Sequence, residues 1–290
     1  DIYVTDHGPH TLFILKLFRN IKFIDVWHGI PFKGFDKDDF KILHYYNAVF
    51  VASRAMQKVY IEKFGFRIDR VAITGYARTD CLVNHDINTS EVLAELGINK
   101  ANYKAIILLA PTWSHRSFGQ APELMNMSES QFLEYFCDAM QKRNILVIYR
   151  AHLNAENSGI LGEANLISIP LSKYENTEAL LSISDILISD WSSIVFDYLL
   201  LMRPTLFIHR ENPFHKGFTC GPEYRFGPVA KSLEELVDDI DGALDIGAYM
   251  SVWKKKMKEI KVKLYGEYAD GKSSERSVYE IASIINTSHN

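Results

Sequence analysis

Trp27-His28-Gly29-Ile30-Pro31-Phe32-Lys33-Gly34 directly follows an apolar run, so His28 falls where a strand ends. An imidazole with a reference pKa of about 6.5 is suited to take a proton from a hydroxyl near neutrality. Gly29 allows close backbone approach, Pro31 stiffens the turn, and Lys33 offers a point charge for phosphate. A plain turn with a structural histidine is the competing reading. A second stretch, Asp185-Ile186-Leu187-Ile188-Ser189-Asp190-Trp191-Ser192-Ser193, reads as strand, polar turn and helix start. Asp190 is its candidate N-cap, and the N–H groups and hydroxyls at Ser192 and Ser193 form a candidate diphosphate site. Arg150 and His152 follow the run Ile145–Tyr149, Thr112 follows Ala105–Ala110, and Thr74-Gly75-Tyr76-Ala77-Arg78-Thr79-Asp80 closes another. Each is weak alone. Together, successive strands end in polar or basic residues, as a phosphate-lined site requires.

Those residues must be held by the elements before and after them. Strands are expected at Ile21–Trp27, Ala48–Ala52, Val71–Thr74, Ala105–Ala110, Ile145–Tyr149, Leu166–Ile169, Asp185–Ser189 and Thr205–Ile208. Helices are expected at Met56–Phe64, Ser90–Leu96, Glu129–Arg143, Thr177–Ser184, Trp191–Met202, Leu233–Leu244, Ser251–Leu264 and Ser274–Ile285. Alternating strands and helices predict α/β units with parallel sheets, where ligands sit at the carboxyl ends of strands. The polar stretch Asp80–Lys104 interrupts the pattern, and 290 residues suffice for about two domains. The domains are expected at 1–95 and 96–290, with the last helices packing back on the first.

Composition narrows the function classes. A net charge of −4 is too mild for a nucleic-acid wrapper, so no nucleic-acid partner is expected. Three scattered cysteines make neither a disulfide framework nor a metal spacing, so a reducing compartment is expected, with no metal ligands from the protein. No apolar run approaches the ~20 residues needed to span a bilayer. Asp36, Asp38 and Asp39, and likewise Asp238, Asp239 and Asp241, read as solvated faces. The lysines between Lys254 and Lys263 alternate with apolar residues, which predicts a helix with a core face and, as the sharper option, a membrane-surface role.

In this order, the segments resemble the CDP-glycerol glycerophosphotransferase family, which includes teichoic-acid primases and polymerases. The resemblance rests on Trp27-His28-Gly29 with Pro31 and Lys33, Thr74-Gly75-Tyr76 with Arg78 and Asp80, and Ala110-Pro111-Thr112-Trp113. It continues through Arg150 and His152, Ser189-Asp190 with Ser192-Ser193 and Phe196-Asp197, and Asp270-Gly271 with Ser274-Glu275-Arg276, and covers nearly the whole chain. It implies a GT-B architecture: two Rossmann-like, doubly wound parallel-sheet domains facing a cleft. It implies transfer of a polyol phosphate, glycerol phosphate first, from a CDP-activated donor to a hydroxyl of a lipid-linked glycan or polyol-phosphate acceptor, releasing CMP, with no cofactor. A peripheral place on the cytoplasmic face of a bacterial membrane follows. The family's essential residues carry over to His28, His152 and Asp190. Donor binding falls to Thr112, Arg150, Ser192, Ser193, Asp197, Glu275 and Arg276, and the acceptor side to Lys33 and Arg78.

Ile30, Ala77, Ala151 and Leu153 depart from the family pattern, which leaves the polyol open. The region before Trp27 is short for the family, so a truncated start is expected. A nucleotide-sugar glycosyltransferase of GT-B fold and a non-catalytic nucleotide- or lipid-carrier-binding scaffold are the alternatives.

Overall fold

The computed structural model describes residues 1–6, 21–112, 124–150 and 165–286. The chain divides into two compact units. The first comprises Asp1–Asp86, Lys216–Cys220 and Glu259–Asn290, and the second Ile87–His215 and Gly221–Lys258.

The first unit is built on a four-stranded parallel sheet of β1 (Ile2–Thr5), β2 (Lys22–Asp25), β3 (Ala48–Val51) and β4 (Val71–Ile73), in that order. β1 is an addition to the sequence expectation. Helix α1 (Arg54–Glu62) starts where the Ser53 hydroxyl accepts the Met56 N–H, and ends before Gly65, whose φ of +74° suits glycine. α2 (Asp80–Val83) follows the β4 exit. α9 (Ser273–Asn286) lays Ile281 and Ile284 on a core of Ile24, Ala48 and Phe50. Trp27, Phe35, Phe40, Tyr60, Phe64 and Phe66 form a contiguous aromatic cluster beside it, with ring centroids as close as 4.8 Å for Phe40 and Phe64.

The second unit carries β5 (Ala105–Leu109), β6 (Ile145–Tyr149), β7 (Leu166–Ser168), β8 (Ile186–Ser189), β9 (Thr205–Ile208) and β10 (Val229–Ala230). All pair in parallel, in the order β10-β9-β8-β5-β6-β7. That is the doubly wound Rossmann order, with its reversal between β5 and β8. β5, β6, β8 and β9 are buried along their whole length, which explains their unbroken apolar runs. Helices α3 (Thr89–Glu95), α4 (Glu129–Gln141), α5 (Thr177–Ile183), α6 (Ile194–Leu199) and α7 (Leu233–Leu244) complete the unit.

Two element boundaries need correction. The helix expected from Trp191 begins at Ile194, because Asp190 is drawn into other bonds and Ser193 takes the N-cap position without a side-chain bond. α8 (Ile246–Tyr265) starts five residues before Ser251, where the Asp245 carboxylate accepts the Ala248 N–H. Met257, Ile260 and Leu264 of α8 are buried, as expected of its core face. Among the described residues no helix is long and apolar enough to cross a membrane.

Candidate active site

His28 leaves the carboxyl end of β2 between two unusual backbone conformations, Trp27 at φ +49° and Gly29 at φ +144°. A non-glycine residue in the left-handed region costs about 1–3 kcal/mol and persists only where the surroundings fix it. Here the buried Asp25 carboxylate accepts the Trp27 N–H at 2.9 Å, and the Trp27 ring lies in the aromatic cluster. The exposed His28 ring packs on Trp27, 4.3 Å between centroids, and its Nδ1 lies 3.1 Å from the Asp6 carbonyl at the end of β1. A carbonyl oxygen only accepts, so in the neutral ring Nδ1 carries the proton and Nε2 keeps the lone pair. That is the tautomer a general base needs.

The rest of the loop is braced by main chain. Gly34 N–H donates to the Gly217 carbonyl, Thr219 N–H to Phe32, and Cys220 N–H to Pro31. A Cβ on Gly34 would sit 2.3 Å from the Lys216 carbonyl oxygen, so only glycine fits there. Lys33 places its ammonium 5.1 Å from the Phe35 ring centroid. Arg78 donates from Nη2 to the His28 carbonyl at 3.1 Å. Of the two acceptor-side candidates, Arg78 therefore touches the loop that carries His28.

The motifs around Asp80 and Arg276 interlock. The Asp80 carboxylate accepts the Ser273 and Ser274 N–H groups at 3.0 and 2.7 Å, capping α9. Arg276 donates two bonds to Asp270, and others to the Thr74 and Tyr268 carbonyls and the Ser273 hydroxyl. Asp270 holds the Arg276 guanidinium more firmly charged, and Arg276 holds Asp270 below the usual carboxylate range. These bonds tie α9 to the β4 exit. Glu275 is exposed beside it.

In the second unit, Asp190 sits at the strand-order reversal, fully buried. Its Oδ1 accepts the Thr112 and Trp191 N–H groups, each at 2.7 Å, and its Oδ2 accepts Arg210 Nη1 at 3.0 Å. Arg210 also donates to the Thr112 carbonyl at 2.7 Å, and the Ser189 hydroxyl to the Ala110 carbonyl at 2.6 Å. The ends of β5 and β8 are thus tied through one carboxylate. Arg225 lies over the Trp191 ring, its Cζ 3.5 Å from the centroid, and donates to the Asp190 carbonyl. Burial pushes its pKa down to about 10. Sequence reading missed Arg210 and Arg225, which lie 20 and 35 residues beyond Asp190 and meet it only through the fold.

Ser192 and Ser193 are half-buried at the entry to α6, and their hydroxyls make no hydrogen bond among the described residues. The Thr112 hydroxyl oxygen is buried with no partner among those residues. Asp197 is buried on α6. Arg150 is buried and donates to the Tyr174 carbonyl at 2.6 Å and the Thr177 hydroxyl at 2.8 Å, at the entry to α5. His152 lies outside the described residues, as do His7, His10, Trp113, Ala151 and Leu153.

Comparison with known proteins adds a family to this geometry. The chain is 27% identical over 303 residues to the Staphylococcus aureus teichoic acid ribitol-phosphate polymerase TarK, covering 97% of this chain and 56% of that protein. It is 30% identical over 248 residues to a teichoic acid poly(glycerol phosphate) polymerase of Bacillus spizizenii, covering 77% of this chain and 61% of that protein. It therefore spans little more than half the length of these curated relatives. A crystal structure of a histidine-to-asparagine variant of the wall teichoic acid polymerase TagF matches with a TM-score of 0.79 at 21% identity, over 100% of this chain and 74% of that one. This shows the shared α/β fold. The model of the CDP-Glycerol:Poly(glycerophosphate) glycerophosphotransferase family matches residues 3–283, and the chain belongs to that family.

Proposed function

We propose that the protein transfers a polyol phosphate, glycerol phosphate first, from a CDP-activated donor to a hydroxyl of a lipid-linked glycan or polyol-phosphate acceptor. The acceptor oxygen attacks the β-phosphorus of the donor, the bond to the bridging oxygen breaks, and CMP leaves with that oxygen. The acceptor proton passes to His28 Nε2. Phosphoryl transfer depends on positioning and charge neutralisation more than on covalent help. In this reading the first unit supplies the base, with Arg78 holding its loop and Lys33 nearby in sequence to meet acceptor phosphates. The second supplies the nucleotide subsite from Thr112, Ser192 and Ser193, held in register by Asp190, with His152 assisting the leaving group. The reaction takes place on the cytoplasmic face of the membrane, where a lipid-linked acceptor is within reach.

The observation that carries this reading is the bond from His28 Nδ1 to the Asp6 carbonyl, which leaves Nε2 as a base at a strand's carboxyl end. The printed names of the relatives, polymerases of ribitol phosphate and glycerol phosphate, support the donor class. So does a TagF crystal soaked with CDPG, whose fold this chain shares with a TM-score of 0.76. The test is CMP release by the purified protein from CDP-glycerol and CDP-ribitol, with a lipid-linked acceptor. Release of UDP or GDP from UDP- or GDP-sugars in their place would return the glycosyltransferase reading. Nucleotide binding with no CMP release would favour a scaffold.

A further inference from the structure

No motif in the sequence marks Arg210, which stands two residues beyond the end of β9. It lies at the same carboxyl edge of the second unit's sheet as Thr112, beyond β5, and Asp190, beyond β8. The order β9-β8-β5 makes these three strands neighbours, and the reversal of strand order falls between β8 and β5. In an open parallel sheet this edge is where a ligand sits.

The way Arg210 is held leaves part of it free. Its Nη1 donates to the Asp190 carboxylate at 3.0 Å and to the Thr112 carbonyl at 2.7 Å. Its own carbonyl accepts the Trp191 indole N–H at 3.0 Å, so the main chain is fixed as well as the head. Nε and Nη2 bond nothing among the described residues, and neither is closed off from solvent; the side chain is 16% exposed. A guanidinium carries five N–H donors in a rigid fork, and the anchor uses the two on Nη1. The other donors are held in place and open.

The charge balance points the same way. The fully buried Asp190 carboxylate is the anion that Arg210 pairs with. Arg225 lies over Trp191 and bonds the Asp190 carbonyl at 3.4 Å, with no carboxylate partner among the described residues. Burial lowers its pKa to about 10, which leaves it charged at neutral pH. Two guanidinium groups thus stand against one carboxylate in a connected, largely buried cluster. Buried charge is costly unless it is paired, and a second anion would balance this one. Arg225 is the more enclosed of the two, with Nε cut off from solvent. Arg210 is the member that can reach a ligand.

We propose that Arg210 binds the diphosphate of the donor nucleotide through Nε and Nη2 while Nη1 stays on Asp190 and Thr112. The identity of that nucleotide rests on the CDP-donor reading above. In the transfer step Arg210 then balances the charge that gathers on CMP as the bond to the bridging oxygen breaks. Asp190 is its positioning residue: the buried carboxylate aims the fork and does not touch the substrate.

Calorimetric titration with CDP, UDP and GDP, and ligand-observed NMR with cytidine, test this on the native chain, Arg210→Lys and Arg210→Gln. Lysine keeps a charge beside Asp190 but lacks the fork that serves the carboxylate and a phosphate at once. Arg210→Lys should bind CDP at least about tenfold more weakly, as expected for losing a hydrogen bond to a charged group, with cytidine affinity and Tm unchanged. Arg210→Gln removes the charge, so it should weaken CDP further and flatten the salt dependence of its binding. Equal losses for CDP and cytidine would make Arg210 merely structural and overturn the proposal. So would CDP affinity indifferent to both variants, or a native chain that binds none of the three diphosphates. Arg210-dependent binding of UDP or GDP in place of CDP would uphold the diphosphate site and refute the cytidine donor. CMP release from CDP-glycerol, measured alongside, separates the two readings: steady release with CDP affinity indifferent to both variants would refute this site and leave the transferase standing.

Discussion

At His28 the hydrogen bond from Nδ1 to the Asp6 carbonyl sets the tautomer of the imidazole. The Asp6 carbonyl fixes the proton on Nδ1, and Trp27 and Gly29 hold the turn that aims the ring. Removing a general base of this kind costs typically 100- to 10,000-fold, so His28→Ala should lose about that much CMP release and keep its affinity for the CDP donor. Arg78→Lys gives a milder variant of the same defect. A lysine can reach the His28 carbonyl but cannot reproduce the guanidinium geometry, so kcat should fall with KM for the donor unchanged in steady-state assays. Asp190 behaves differently, because it is a buried anion with three acceptor bonds. Asp190→Ala strands Arg210 and orphans two N–H groups, which should cost about 3–5 kcal/mol in chemical denaturation. His28 was legible in sequence because a strand and a glycine frame it. Asp190 was legible as important, but its N-cap role was not real, since its carboxylate accepts from the Thr112 N–H and Arg210, distant in sequence.

Between elements, the Asp80 and Arg276 motifs hold α9 to the β4 exit. Asp80 caps α9, and Asp80→Ala should cost about 1–2 kcal/mol, measured as a lower midpoint in urea. Asp270 is held below the ordinary carboxylate pKa by Arg276. A carboxylate whose pKa is depressed in the folded state stabilises above its unfolded value of about 3.9, and that contribution is lost as pH falls through the folded pKa. Acid unfolding of Arg276→Gln should therefore show a smaller loss of stability below pH 4 than the native chain. The strands of the second unit were readable because burial on both faces makes them continuous apolar runs. β1 and β10 were not, since four and two residues at the sheet margins carry too little pattern. The motif Asp270–Arg276 was visible only as part of a family resemblance, and its partners at Thr74 and Asp80 come from the fold.

As a whole the molecule is two α/β units with parallel sheets, one carrying His28 and the other a Rossmann strand reversal with a buried carboxylate. The alternation of strands and helices made the fold class legible; the joining of Lys216–Cys220 and Glu259–Asn290 to the first unit was legible only in part, because the former is a short loop without pattern. Ligand binding should register at this scale. A donor at a hundred times its Kd stabilises by about 2.7 kcal/mol, so CDP-glycerol or CDP-ribitol should raise Tm by several degrees while UDP-sugars leave it in place. The most direct measurement is CMP release from CDP-glycerol and CDP-ribitol by the native protein and by His28→Ala, side by side with a lipid-linked acceptor. The base assignment predicts steady release by the native chain from at least one donor, and a fall of about 100-fold or more in the variant. A variant that turns over within a few-fold of the native rate would contradict it.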